Sequence, residues 1–216
     1  MFAYCGNDPV NCADPSGQIC NEIMGIFLAI SGTYYYMSMM EIAEQNYVHN
    51  AAIDADSSTT THNRLINDQN GSTGANFRYG NYPASYNGCE AIAIHNIKVL
   101  KGMDSTLSQT MYDCQAVGAI VAYGGFGSNP YELDNVLDYY GIPYTKIGFD
   151  EMDQPGTYII SYWTQGVLQG PLHTVAVQYD GKQYVVYNRY GNGQLSYGLP
   201  TNSDNFICGY YVGGVL

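Results

Sequence analysis

A turn-rich segment leads directly into a predicted helix in the stretch Asn81-Tyr-Pro-Ala-Ser-Tyr-Asn-Gly-Cys89, which continues as Glu90-Ala-Ile-Ala-Ile-His-Asn-Ile-Lys-Val-Leu-Lys101. The interpretation of the fold starts from this stretch. The apolar residues of the second part recur at helical spacing, and Gly102 follows where a helix end is expected. Cys89 is therefore predicted at a helix N-terminus, where unpaired backbone N–H groups and the helix dipole favour a nucleophilic thiolate. A buried structural cysteine is the alternative, so a functional Cys89 needs partner residues.

The composition indicates a folded protein that is poor in charge. Seven Lys and Arg stand against nineteen Asp and Glu, which gives a net charge of −12. Because non-specific nucleic-acid binding needs a Lys- and Arg-rich surface, we predict no nucleic-acid partner. The six cysteines lack the spacing of a zinc site, and we predict neither a metal nor a cofactor. The uncharged run 23–40 is the candidate for membrane contact, but its glycines and tyrosines favour a buried or interfacial helix over a span.

The pattern changes from helical to strand-like along the chain. We predict a helix over 21–50 and another over 105–123, which is capped by Asp104 or Ser105. A third predicted helix has Asn129 as its cap, Pro130 as its first residue and Glu132 in a capping box. Five strands follow, at 144–149, 157–163, 173–179, 183–188 and 206–212. Helices followed by an antiparallel sheet define an α+β fold. Residues 54–80 are rich in Asp, Ser, Thr, Asn and Gly, which indicates a linker and a domain boundary near residue 80.

A predicted hairpin brings a histidine and an asparagine together. With Asp180-Gly181 as a two-residue turn, the numbers of opposed residues sum to 361, which pairs His173 with Asn188. Opposed side chains have Cβ atoms ~5 Å apart, so the Asn188 side-chain oxygen can accept the imidazole Nδ1–H and leave the other ring nitrogen for a thiol. Together with Cys89, this predicts the Cys-His-Asn arrangement of a papain-like protease.

The other histidines and cysteines are weaker candidates. His95 follows Cys89 on the same helix, about 240° around and ~9 Å along, so it cannot reach the thiol. The two histidines that precede residue 81 are predicted to be solvated. Cys114, in mid-helix, and Cys208, on a late strand, are predicted core residues.

Residues 81–216 resemble the papain-like cysteine peptidases of the bacteriocin-leader-processing type and their relatives among polymorphic toxins. The stretches that carry the resemblance are N-G-C-E-A-I-A-I-H-N at 87–96, S-N-P-Y-E-L-D-N-V-L-D-Y-Y-G-I-P-Y at 128–144 and G-P-L-H-T-V-A-V-Q-Y-D-G-K-Q-Y-V-V-Y-N at 170–188. The resemblance implies a papain-like fold with N-terminal helices packed on an antiparallel sheet. It also implies that Cys89 is the nucleophile, His173 the general base and acid, and Asn188 the orienting residue.

Two positions depart from the family pattern. Glu90 stands where the family has Gly after the nucleophile, and Pro83 stands where it has a Gln whose amide helps to hold the oxyanion. Asn81 and Asn87 are the nearest amide side chains, and Asn81 is the preferred oxyanion candidate. These departures leave open two alternatives to a peptidase: a glutamine deamidase or transglutaminase-like enzyme at the same site, and a catalytically inactive binding module.

Residues 1–20 read M-F-A-Y-C-G-N-D-P-V-N-C-A-D-P-S-G-Q-I-C and resemble the closing motif of the Rhs-repeat core in bacterial polymorphic toxins. This resemblance implies that a helical segment and linker, 21–80, and the peptidase domain, 81–216, form a toxin tip. Such a tip is secreted or delivered into a target cell, where it meets a protein or peptide substrate and a cognate immunity protein. A cut shortly after Asp14-Pro15-Ser16-Gly17, made by the shell's own protease activity, is also implied, and N-terminal sequencing of the mature tip would test it.

Overall fold

A computed structural model describes residues 18–165 and 171–214. The Rhs-like motif and the expected cut at Asp14-Pro15-Ser16-Gly17 lie outside the described residues. The chain divides into two compact units, Met1–Ser38 and Met39–Leu216. No described helix combines the length and the hydropathy that a membrane span requires.

The helices of the described residues lie before the main sheet in the sequence. Their bounds are α1 Gln18–Asp54, α2 Ser72–Asn76, α3 Ala84–Asn87, α4 Cys89–Leu100, α5 Leu107–Ala116 and α6 Leu133–Tyr139. The helix predicted over 21–50 is confirmed by α1. Short 3₁₀ turns occupy Ala122–Gly124, Pro130–Glu132 and Phe149–Glu151.

Helix α4 follows the sequence pattern, whereas α5 is shorter than predicted. Gly88 precedes the first residue of α4, and Gly102, with a φ of +68°, follows its end. The N-cap of α5 is Thr106 rather than Asp104 or Ser105, because the Thr106 side chain accepts the N–H of Gln109. Helix α5 ends at Ala116, well before residue 123, and Gly118 follows with a φ of +78°.

The predicted cap of the third helix is confirmed in part. The Asn129 side chain accepts the N–H of Tyr131, and Pro130 is the first residue of the turn that follows. That turn is a 3₁₀ helix over Pro130–Glu132, and the α-helical geometry of α6 begins only at Leu133.

The main sheet is antiparallel and has six strands in the order β3-β8-β4-β5-β6-β7. Its strands are β3 Thr145–Ile147, β4 Gly156–Trp163, β5 Leu172–Tyr179, β6 Tyr184–Tyr187, β7 Ser196–Tyr197 and β8 Phe206–Tyr211. Five of them confirm the predicted strands within a few residues. Strand β7 and the small hairpin of β1 Arg78–Tyr79 and β2 Tyr82–Pro83 are too short to leave a pattern in the sequence.

The core lies between α4 and one face of this sheet. Residues from Cys89 to Lys98 are all buried, and Ile94 and Ile97 belong to the same apolar cluster as Ile159 and Ala176 of the two central strands. A second cluster covers the opposite face of the sheet and includes Ile160, the neighbour of Ile159. Because alternate strand residues face opposite sides, both faces of β4 are buried. The protein is therefore an α+β fold with helices packed on an antiparallel sheet.

The segment 54–80 is not a linker in the structure, which corrects the predicted boundary near residue 80. Ile66, Phe77 and Tyr79 are at most 4 % exposed and lie in the core that also contains α4. Some polar residues of the segment bond locally, as Asp54 does when it accepts the backbone N–H of Thr61 at 2.7 Å, and others, such as Asn67 and Gln69, bond to Asn188. The polar composition of the segment obscures its few buried apolar residues. The structure divides the chain between Ser38 and Met39 and not near residue 80.

Candidate active site

Cys89 and His173 line one cleft with a volume of about 210 Å³. The cysteine comes from the start of α4 and the histidine from the start of β5, which packs against that helix. Gln69, Arg189 and Tyr190 are also among the lining residues. The fold therefore brings together two of the three predicted catalytic side chains from positions 84 residues apart in the sequence.

Cys89 is the first residue of α4, as the sequence predicts. Gly88 precedes it at a point of close approach, since a Cβ at that position would lie 2.7 Å from the carbonyl oxygen of Ala84. The Cys89 side chain is 6 % exposed, and its Sγ donates a hydrogen bond to Oε2 of Glu90 at 3.2 Å.

The protonation of Cys89 differs from the prediction. Burial, and next the charge and hydrogen bond of Glu90, raise the pKa of the thiol well above its usual range, while backbone hydrogen bonds of Thr174 and Glu90 oppose the rise. Loss of solvation and the neighbouring carboxylate therefore outweigh the helix N-terminus. The thiol, not the thiolate, is the form at neutral pH in this geometry.

His173 is held by a main-chain carbonyl. Its Nε2 donates to the backbone oxygen of Asn188 at 2.8 Å. A carbonyl only accepts, so Nε2 carries the hydrogen, and Nδ1 of the neutral ring holds the lone pair. Burial lowers the pKa of His173, and the backbone carbonyls of Asn188 and Arg189 partly offset that effect. The ring is therefore a neutral base at neutral pH, packed edge-on against Tyr162 at a centroid distance of 5.8 Å.

The hairpin register is two residues away from the prediction. Strands β5 and β6 pair Tyr179 with Tyr184 and Ala176 with Tyr187, so paired numbers sum to 363, not 361. The connection has four residues, because the Asp180 side chain accepts the backbone N–H groups of Lys182 and Gln183 and folds the chain around them. The predicted two-residue turn is wrong.

His173 and Asn188 are nevertheless in contact, although through a different atom of Asn188 from the one predicted. A shift of two residues keeps every side chain on the same face of a strand, since side chains alternate with a period of two. Strand β6 ends at Tyr187, so Asn188 lies just beyond the paired ladder with a φ of +65°. Its carbonyl, rather than the predicted side-chain oxygen, meets the imidazole.

The side chain of Asn188 is committed to Gln69. Its Oδ1 accepts the backbone N–H of Gln69 at 3.2 Å, and its Nδ2 donates to Gln69 Oε1 at 2.7 Å. The backbone N–H of Asn188 donates to Asn67 Oδ1 at 2.8 Å. This buried set of bonds fixes the backbone of Asn188, and through it the carbonyl that orients His173.

The structure places neither predicted oxyanion residue in the cleft. Asn81 is exposed and is not among the lining residues. Asn87 is buried, and its Nδ2 donates to the carbonyls of Tyr79 and Gly124, at 2.8 Å each. Both of its amide hydrogens are thereby used, which leaves none for a substrate oxygen.

Gln69 is the amide side chain that sequence reasoning missed. It is 6 % exposed, lines the cleft with Cys89, and donates from Nε2 to the carbonyl of Ala84 at 3.1 Å. A primary amide has two such hydrogens, and the bond to Ala84 uses one of them. Gln69 lies in the segment predicted as a linker, and no local motif marks it.

Among the described residues, Cys114, Cys208 and the other three histidines lie outside the cleft lining. Cys114 is a core residue, as predicted, whereas Cys208 is only partly buried and packs against the core, and burial raises the pKa of Cys114 to about 12 and that of Cys208 to about 11. His95 is fully buried between the Arg64 carbonyl and the Ser105 hydroxyl, and burial lowers its pKa to about 4. The two earlier histidines are exposed, and each makes a surface bond, His49 to the Asn76 carbonyl and His62 to Asp104.

The fold and the cleft define an α+β protein with a buried cysteine and a carbonyl-held histidine at one site. No protein-family model matches the sequence, and no curated protein shows significant similarity to it. The function is therefore argued from the geometry of the site.

Replacing Asn188 by glycine separates its two roles. Glycine keeps the positive φ and the carbonyl but loses the buried bonds to Gln69, so we expect the free energy of unfolding to fall by ~1–3 kcal/mol. The pKa of His173 should stay within a few tenths of wild type when ring resonances are followed by NMR, because the carbonyl remains. The exposed Asn192→Gly is the control. A large change in the His173 titration without loss of stability would contradict the carbonyl's role.

Proposed function

We propose that this protein is a papain-like cysteine hydrolase that cleaves amide bonds of protein or peptide substrates. The observation that carries the proposal is the shared cleft, in which Cys89 at a helix start faces the same space as His173. The bond from His173 Nε2 to the Asn188 carbonyl supports it, since that bond leaves Nδ1 as the basic nitrogen.

The reaction follows from these groups. The Cys89 proton passes to His173 Nδ1 as the sulfur bonds to the substrate carbonyl carbon. The tetrahedral intermediate then collapses, the C–N bond breaks, and the imidazolium returns the proton to the leaving amine. Water attacks the thioester, gives one proton to His173, and the C–S bond breaks to release the acid and the thiol. The carbonyl of Asn188 stabilises the imidazolium in both halves.

Oxyanion stabilisation is assigned to two donors. The backbone N–H of Cys89 belongs to the unpaired N–H groups at the start of α4. The second hydrogen of Gln69 Nε2 is the other donor, and it takes the place of the predicted Asn81 and Asn87. Each such donor contributes typically ~3 kcal/mol of transition-state stabilisation.

We also propose that the hydrolase is the tip of a larger Rhs-type toxin, secreted or delivered into a target cell and neutralised by a cognate immunity protein. The motif within residues 1–20 supports this context. The papain-like fold assignment rests on the resemblance of residues 81–216 together with the order of helices and strands.

A catalytically inactive binding module is the second candidate, because the Cys89 thiol bonds to Glu90 and is not ionised. Mass spectrometry of a cell-derived peptide mixture separates the possibilities, with wild type compared to Cys89→Ser. New peptide termini that appear only with wild type are expected. A shift of about one dalton at glutamine without cleavage would favour a deamidase. Neither change, from a folded wild type, would favour the binding module.

A further inference from the structure

Glu90 is a buried acid in direct contact with the candidate nucleophile. It follows Cys89 in α4, is 1 % exposed, and accepts the thiol hydrogen at 3.2 Å. Carboxyl groups are rarely buried unless they are paired or hydrogen-bonded, because desolvation of the charged form is costly. Packing alone therefore does not explain why a carboxyl group is buried at this position.

The surroundings of Glu90 contain polar groups but no described base that balances its charge. The backbone of Ser128 and the side chain of Thr174 hydrogen-bond to it, and a Cβ at Gly127 would lie 3.3 Å from its Oε2. Among the described residues, the charge of Glu90 contributes to the raised pKa values of Tyr79, Cys89, Cys114 and Cys208. Burial raises the pKa of Glu90 to about 7.

We infer that Glu90 is a positioning residue that keeps the Cys89 thiol protonated and hydrogen-bonded to itself rather than to His173, so that Cys89 becomes a nucleophile only when this bond is broken. The inference rests on the proposed function for its catalytic meaning. The contact itself does not depend on that function.

Breaking the bond has a defined proton balance. The thiol hydrogen leaves Glu90 with the sulfur and passes to His173 Nδ1 when Cys89 attacks. An ionised Glu90 is then left buried without this donor, which is unfavourable unless the carboxylate is protonated by a proton from the buffered solvent. Release is therefore easier below pH 7, where the Glu90 carboxyl is already neutral. Thr174 and Ser128 can still bond to the neutral acid.

Glu90→Gln tests this inference, because glutamine keeps the size of the side chain and removes its charge. Site-resolved alkylation of Cys89 by iodoacetamide, followed by peptide mass mapping from pH 5 to about 11, gives the reactivity profile. We expect Cys89 of Glu90→Gln to react ~10-fold faster at pH 8, with a midpoint at lower pH, since one pKa unit corresponds to a tenfold change. The wild-type profile should be broader, because thiol and carboxyl titrate together.

The controls separate this inference from the proposed function. The fully buried Cys114 reports global opening within each sample, and Glu44→Gln replaces an exposed acid. Glu90→Ala provides a second variant should Glu90→Gln fail to fold as judged by circular dichroism. Unchanged or slower alkylation of Cys89 in a folded variant would overturn the role of Glu90. Faster alkylation in a protein that cleaves nothing would leave that role standing and remove the proposed hydrolase.

Discussion

Replacement of His173 by alanine is expected to lower kcat/KM for amide hydrolysis by ~10³-fold or more, the effect of removing a base that acts with its nucleophile. Burial keeps His173 neutral, and the Asn188 carbonyl orients the ring, so that among the described residues of the cleft lining His173 is the group assigned to take the thiol proton. The measurement is the steady-state rate on a peptide identified by mass mapping. Cys89→Ser should reduce the rate at least as far.

The matched control is His62→Ala, which removes an exposed histidine bonded to the exposed Asp104. It should retain wild-type activity, because contacts between exposed polar side chains contribute little. A His173→Ala protein with more than about a tenth of wild-type kcat/KM would contradict the assignment of His173 as the base.

Replacement of Gly74 by alanine is expected to lower the free energy of unfolding by more than ~3 kcal/mol. A Cβ at this position would lie 1.5 Å from the carbonyl oxygen of Gln69, so the backbone has to move. Gln69 bonds to Asn188 and lines the cleft, and activity should fall along with stability. Urea denaturation followed by circular dichroism gives the free energy.

Gly32→Ala is the control for this substitution, since nothing lies within 4 Å of the corresponding Cβ. Alanine is favoured over glycine within a helix by ~1 kcal/mol, so the control should leave stability equal or higher. A free energy of unfolding of Gly74→Ala within ~1 kcal/mol of wild type would show that the backbone of Gln69 moves without destabilising the fold, and would contradict this prediction.

Local sequence patterns predict much of this fold. The start of α4 at Cys89 and its end before Gly102 follow from apolar spacing and a terminal glycine, both of which act within a few residues. The principal strands are equally local, because β-branched and aromatic runs bounded by turn residues leave few alternatives. Such features do not depend on the rest of the chain.

Geometry that depends on a turn is less predictable. Asp180-Gly181 suits a two-residue hairpin, yet the Asp180 side chain folds a four-residue loop and moves the register by two. His173 and Asn188 still meet, because a shift of two preserves the faces of the strands. Asn188 contacts the imidazole through its backbone carbonyl and not through its side chain. A residue pattern does not distinguish these two kinds of contact.

The chemistry of the site depends on contacts distant in the sequence. Gln69 reaches the cleft through bonds to Asn188, more than a hundred residues later, and the polar composition around it indicates a linker. The helix start predicts a thiolate at Cys89, but burial and Glu90 raise the pKa of the thiol instead. The desolvation of the Cys89 thiol depends on how the whole core packs around it, and local sequence patterns do not predict that packing.

We propose above that Cys89 forms a covalent acyl-enzyme with the help of His173. Reaction of the full chain with p-nitrophenyl acetate tests it, with p-nitrophenol release followed by absorbance and the acetyl group located by peptide mass mapping. We expect a burst of about one equivalent, acetylation at Cys89, and loss of both in His173→Ala. Acetylation confined to Cys114, Cys208 or lysines, or equal acetylation of Cys89 in His173→Ala, would contradict it.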